Sequence, residues 1–101
     1  MTTENVVEKS PKVFDKIKLP KKYKVVILND NFTPFEFVML ILMTIFKHPE
    51  NIAKDITLKI HNEGSAVVGI YNYEIAEQKV FETTSLARAN SFPLESKYEP
   101  E

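Results

Sequence analysis

Four polar residues in this chain have the types and spacing to do chemistry: Asn29, Asp30, Thr33 and His61. A carboxylate and an imidazole are the two halves of an acid–base pair, so Asp30 with His61 is the first arrangement to weigh. No serine or cysteine stands in a nucleophile elbow beside them, and the chain has no cysteine at all. That absence also excludes disulfides, thiol catalysis and cysteine-based zinc sites. With His48 and His61 the only histidines, a histidine-rich metal site is not expected. Gly64 and Gly69 are the only glycines, so a P-loop or a dinucleotide-binding glycine pattern has no material, and no cofactor is expected. Taken singly, Asn29 and Asp30 are ordinary turn residues, Thr33 an ordinary helix cap, and His61 a cation favoured at a helix C-terminus. On pattern alone those roles prevail, and an enzyme is not expected.

The elements that must position these residues centre on Tyr23–Phe46. Val25-Val26-Ile27-Leu28 is a short apolar run rich in β-branched residues and reads as a strand covered on both faces. Asn29-Asp30-Asn31 stops it. Thr33-Pro34-Phe35-Glu36 then starts a helix, with Thr33 as cap, Pro34 in the first turn and Glu36 closing a capping box. That helix runs from about Pro34 to Lys47, stops before Pro49, and is apolar nearly all round between Phe37 and Met43. Leu40 on it is either an exposed site for self-association or a tolerated surface leucine, and the latter is expected. A second helix follows from about Pro49 to Asn62, with Ile52, Ile56 and Ile60 as its inward stripe and Gly64 as a left-handed terminator. Ala66–Tyr71 reads as a strand, with Gly69 at a bulge or a close contact. Asn72 caps a third helix, Tyr73–Ala89, whose stripe includes Ala76, Val80, Thr83 and Ala87, and Asn90 ends it in a left-handed conformation. Phe92–Tyr98 is a last strand with an irregular start at Pro93. The order β-α-α-β-α-β predicts a small single-domain α+β fold, a three-stranded antiparallel sheet covered by helices.

The 101 residues allow one modest core, and 44% hydrophobic with 27% charged residues is ordinary for a globular domain. The net charge of −1 hides an asymmetry. Residues 1–24 carry seven lysines against Glu4, Glu8 and Asp15, whereas the remainder is acidic. Residues 1–22 contain Pro11 and Pro20 and only isolated apolar side chains (Phe14, Ile17, Leu19), which predicts a flexible N-terminal arm before a core of 23–101. The lysines admit a nucleic-acid-binding reading of that arm, but the acidic remainder shows no basic stripe and argues against it. No secretory signal is visible, and Phe35–Phe46 is too short to span a bilayer, so the expected location is the cytoplasm, away from membranes.

Specific strings go further than these patterns. Tyr23–Val38 (YKVVILNDNFTPFEFV) closely resembles the strand–loop–helix motif of the ClpS family, adaptors of the ATP-dependent Clp protease. The likeness continues through Ile60-His61-Asn62-Glu63-Gly64, Ala66–Tyr71, Glu74–Val80, Ala87-Arg88-Ala89-Asn90 and Pro93-Leu94, in order, over about residues 22–98.

The resemblance implies an adaptor, not an enzyme. It would hold substrates by a destabilising N-terminal residue (Leu, Phe, Tyr or Trp) and pass them to a ClpA-type AAA+ unfoldase by docking on that partner's N-terminal domain. Asn29, Asp30 and His61 would bind the substrate's terminal amine. Thr33, Phe35, Val38, Thr57, Ile60 and Leu94 would line the pocket for its side chain, and Glu74 and Lys79 would dock the unfoldase. The chemistry suits these residues: an ammonium has three donors, and an amide carbonyl, a carboxylate and a neutral imidazole are acceptors. Thr57 and Phe35 stand where the family often has methionine, so the preferred first residue is left open. A monomer with no nucleic-acid partner is the expected state.

Overall fold

The computed structural model describes residues 21–101, so the predicted arm lies, but for its last two residues, outside the described part. Six elements follow in the predicted order: β1 (Lys22–Leu28), α1 (Phe35–Thr44), α2 (Glu50–Glu63), β2 (Ser65–Asn72), α3 (Tyr73–Ala89) and β3 (Glu95–Pro100). The three strands form one antiparallel sheet in the order β2-β1-β3, with β1 in the middle. The strand begins at Lys22, one residue inside the segment assigned to the arm.

Alternation along β1 divides the sheet into two unlike faces. Val25 and Ile27 join Ala66 and Val68 of β2 in the core, beneath Phe37, Val38, Ile41 and Leu42 of α1 and Ala76 and Ala87 of α3. The opposite face carries Lys24, Val26, Leu28, Val67, Lys97 and Glu99 around a shallow hollow. Val26 is nonetheless buried, in a hollow whose lining it shares with Lys24, Lys97 and Glu99. The expected strand covered on both faces is therefore covered by helices on one face and by side chains alone on the other. Burying such a branched side chain contributes about 1.5–3 kcal/mol, which is why β1 is the spine of the fold.

Turn and cap chemistry sets most boundaries. Gly64 ends α2 at φ 94°, a left-handed conformation that glycine adopts without steric cost. The ladder slips by one residue between Val25/Gly69 and Val26/Val67, which makes Val68 the extra residue of a bulge. Gly69 sits at this bulge under the Tyr71 ring, where a Cβ would collide with the phenol. His48 Nε2 lies 2.7 Å from the Val68 carbonyl and holds the bulged segment from the α1–α2 connection. The Asn72 side chain accepts from the Ile75 amide at 3.0 Å and so caps α3.

Several expectations are corrected. The first helix ends at Thr44 rather than Lys47, and Lys47 turns the chain with φ 62°. The cap position falls on Pro34, one residue past Thr33, and proline has no side-chain acceptor to cap with; the Thr33 hydroxyl instead donates to Asp30. The buried stripe of α2 is Ala53, Thr57 and Ile60; Ile52 is 38% exposed and Ile56 only half-buried. Small residues bring that helix close to the sheet, and the larger isoleucine at 52 is rotated out. Asn90 ends α3 at φ −103°, and Ser91 is the left-handed residue, at φ 64°. The Phe92 and Ser91 amides reach back to the Ala87 and Arg88 carbonyls and close the helix end. The last strand begins only at Glu95, because Arg88 Nη1 holds the Phe92 and Leu94 carbonyls at 2.9 Å and keeps 92–94 out of the ladder. Leu40, by contrast, is 46% exposed, in keeping with the surface leucine expected.

Candidate functional site

The β1–α1 loop owes its shape to one carboxylate. Asp30 Oδ1 accepts the backbone amides of Phe32 and Thr33, both at 2.8 Å. The Thr33 hydroxyl donates to Oδ2 at 2.7 Å. Partial burial pushes the Asp30 carboxyl upward, but these hydrogen bonds and the Arg88 guanidinium outweigh it and hold the group below its ordinary value. Oδ2 keeps a lone pair after the Thr33 bond, so Asp30 braces the loop and still presents acceptor capacity.

A second tie fixes where this loop lies. The Asn29 amide donates to the Gly64 carbonyl at 2.9 Å, which joins the end of β1 to the end of α2. Gly64 follows His61 by three residues, so the bond brings the imidazole beside the loop. The outcome is a cleft of about 320 Å³ lined by Asn29, Asp30, Asn31, Thr33, Phe35, Leu58 and His61. A larger depression lies beside Phe32, Arg88, Ser91, Phe92 and Pro93, but Arg88 is its only charged lining. The smaller cleft gathers acceptors from two separate elements, and this marks it as the candidate site.

All three residues expected at an amine site, Asn29, Asp30 and His61, lie together in this cleft, with Thr33 and Phe35 of the expected side-chain pocket. The other pocket residues, Val38, Thr57, Ile60 and Leu94, are between 1% and 6% exposed and do not line the open cleft. Val38, Ile60 and Leu94 belong to the core cluster, and the Thr57 hydroxyl is satisfied by the Ala53 carbonyl at 2.7 Å. Two lining residues, Asn31 and Leu58, escaped the sequence reading. Asn31 was legible as a neighbour of Asn29 and Asp30, whereas Leu58 lies off the apolar stripe of its helix and gave no signal.

Glu74 and Lys79 stand elsewhere. Glu74 is exposed in the first turn of α3, in a hollow shared with Lys21, Tyr23, Asn72 and Tyr73. Tyr23 is at the opposite end of β1 from Asn29. Lys79 is engaged within the fold: its ammonium donates to the Ile45 carbonyl at 2.7 Å and sits 5.8 Å from the Tyr71 ring centre. Among the described residues, no cluster of three or more acidic, histidine or cysteine side chains could hold a metal ion. No helix among them is long and apolar enough to cross a membrane.

The family model "ATP-dependent Clp protease adaptor protein ClpS" matches residues 18–97. The ClpS adapter of Nautilia profundicola is 48% identical over 94 residues, 93% of each chain. That of Acetivibrio thermocellus is 40% identical over the full length of both. Among solved structures, Agrobacterium tumefaciens ClpS2 bound to L-phenylalaninamide matches with a TM-score of 0.80 and 42% identity, covering 82% of this chain and 100% of the other.

Proposed function

This chain belongs to the ClpS family, whose members are adaptors of the Clp protease and not themselves enzymes, and on that premise we propose that it captures proteins by a bulky apolar N-terminal residue. One observation carries the reading: Asn29, Asp30 and His61, from two separate elements, converge on one cleft that also has apolar walls. A free terminal ammonium donates to the Asn29 carbonyl, the open lone pair of Asp30 and a ring nitrogen of His61, with Asn31 as a further acceptor at the rim. The first side chain lodges against Thr33 and Phe35, with Val38, Thr57, Ile60 and Leu94 as the packed ground behind them. The related protein bound to L-phenylalaninamide supports this, since that ligand offers a free amine beside a benzyl group.

Delivery would use a separate surface. Glu74, at the far end of β1 from the cleft, and Lys79 dock the N-terminal domain of a ClpA-type AAA+ unfoldase, so a loaded cleft stays clear of the partner. The Lys79 ammonium is already held by the Ile45 carbonyl, so its side chain loses less freedom on docking. The arm, residues 1–22, serves delivery and not grip. The protein acts as a cytoplasmic monomer, without cofactor, membrane or nucleic acid. Four of the seven lysines behind the nucleic-acid reading (Lys9, Lys12, Lys16 and Lys18) lie outside the described part, and the relatives named above do not support that reading.

Titration of fluorescent peptides that begin with Phe or Leu tests the proposal. Binding is expected with a free amine and lost on N-acetylation, which removes the ammonium. Equal affinity for free and acetylated peptides would overturn it. Peptides beginning with Ile or Val added to the panel report whether Thr57 admits β-branched residues.

A further inference from the structure

Leu58 is one of two apolar residues in the cleft lining, the other being Phe35, and both are 39% exposed. An α-helix turns by about 100° per residue, which orders one side of α2 around the cleft. Thr57 and Ile60 point inward and are 3% and 2% exposed. His61 lies about 40° round from Thr57, and Leu58 about 60° beyond His61 in the same direction, toward solvent. Along the helix axis, Leu58 and His61 are about 4.5 Å apart, close to the roughly 3.5 Å step between residues of an extended peptide.

We propose that Leu58 is a specificity-determining residue that contacts the side chain of the substrate's second residue. The inference rests on the amine-capture reading above and deepens it. With the terminal amine at His61 and the first side chain directed inward, the chain leaves the cleft outward past Leu58. An apolar second side chain covers the exposed part of Leu58 there, whereas glycine leaves it wet and an acidic one is desolvated beside Asp30. The cleft thus reads two residues: the first by its inner wall and the second by its rim.

Four peptides decide the matter, beginning Phe-Leu, Phe-Gly, Phe-Asp and Ala-Leu and otherwise identical, titrated against the full chain and Leu58→Ala. The native chain is expected to bind Phe-Leu about three- to tenfold tighter than Phe-Gly, with Phe-Asp weaker again. In Leu58→Ala the Leu-over-Gly ratio should fall toward one, while the Phe-Leu over Ala-Leu ratio persists. No second-residue preference in the native chain, an undiminished preference in the variant, or a joint fall of both ratios would overturn the inference. Acetylated Phe-Leu binding as well as the free peptide would instead overturn the underlying reading, a distinguishable result. The chain contains no tryptophan, so Leu58→Trp supplies a single reporter at this rim. Its emission should respond more to Phe-Leu than to Phe-Gly, and identical responses count against the contact.

Discussion

Asp30 braces its loop through the Phe32 and Thr33 amides and the Thr33 hydroxyl, and only the turn itself was legible from residue type. Its place in Asn-Asp-Asn marked a turn, and the turn is there. The sequence also offered Thr33 as a helix cap, but the helix starts one residue later, with Pro34 at the cap position, and the Thr33 hydroxyl donates to the Asp30 carboxylate. Both are ordinary local bonds of a threonine hydroxyl, so residue type could not choose between them. Asp30→Ala should weaken binding of a Phe-first peptide by about 1–3 kcal/mol, through a lost charge-assisted acceptor and a loosened loop. Unchanged affinity by fluorescence anisotropy would remove Asp30 from the site. The depressed carboxyl also has a pH signature. Its folded-state value lies below its unfolded one, so its stabilisation is present at neutral pH and fades as pH falls below about 4. The stability difference between the native chain and Asp30→Asn, from urea melts, should be level near neutrality and shrink below about pH 4. Peptide binding should also decline above about pH 8, as the substrate amine loses its proton.

Elements were legible in kind and order, and least so where helix rotation mattered. Isoleucines at 52, 56 and 60 are spaced by four and gave a plausible stripe, yet four residues advance a helix by about 400°, so such a row drifts. Packing followed the smaller Ala53 and Thr57, because close approach to the sheet outweighs the area of one isoleucine. Ala53→Leu should therefore cost about 1–3 kcal/mol by overpacking, whereas Ile52→Ala should cost under about 1 kcal/mol. Urea denaturation of both variants checks the order, and a reversed ranking would refute the assigned face. Gly64 joins two elements through one backbone position. Gly64→Ala should lose about 1–2 kcal/mol, since its φ of 94° strains any residue with a Cβ. It should also disturb the Asn29 tie and so weaken peptide binding, which an isothermal titration would register.

At the scale of the molecule, the proposed grip and the proposed docking residue Glu74 sit at opposite ends of β1. Glu74→Lys should thus reduce unfoldase-dependent degradation of a Phe-first substrate while peptide affinity stays within about twofold. A matching loss of peptide affinity would contradict that separation. The element order and a three-stranded sheet covered by helices followed from apolar periodicity and turn signals, whereas the strand order β2-β1-β3 did not. The cleft did not, because it depends on a backbone bond from Asn29 to Gly64 that no side-chain pattern encodes. β1 itself, paired along both edges and buried at Val25, Val26 and Ile27, has one more consequence. Its amides should be the last in the molecule to trade hydrogen for deuterium, exchanging only when the whole domain opens. The proposed recognition loop hangs directly from that segment, so a ligand held there should leave by dissociation or by wholesale unfolding, and not by fraying at a sheet edge.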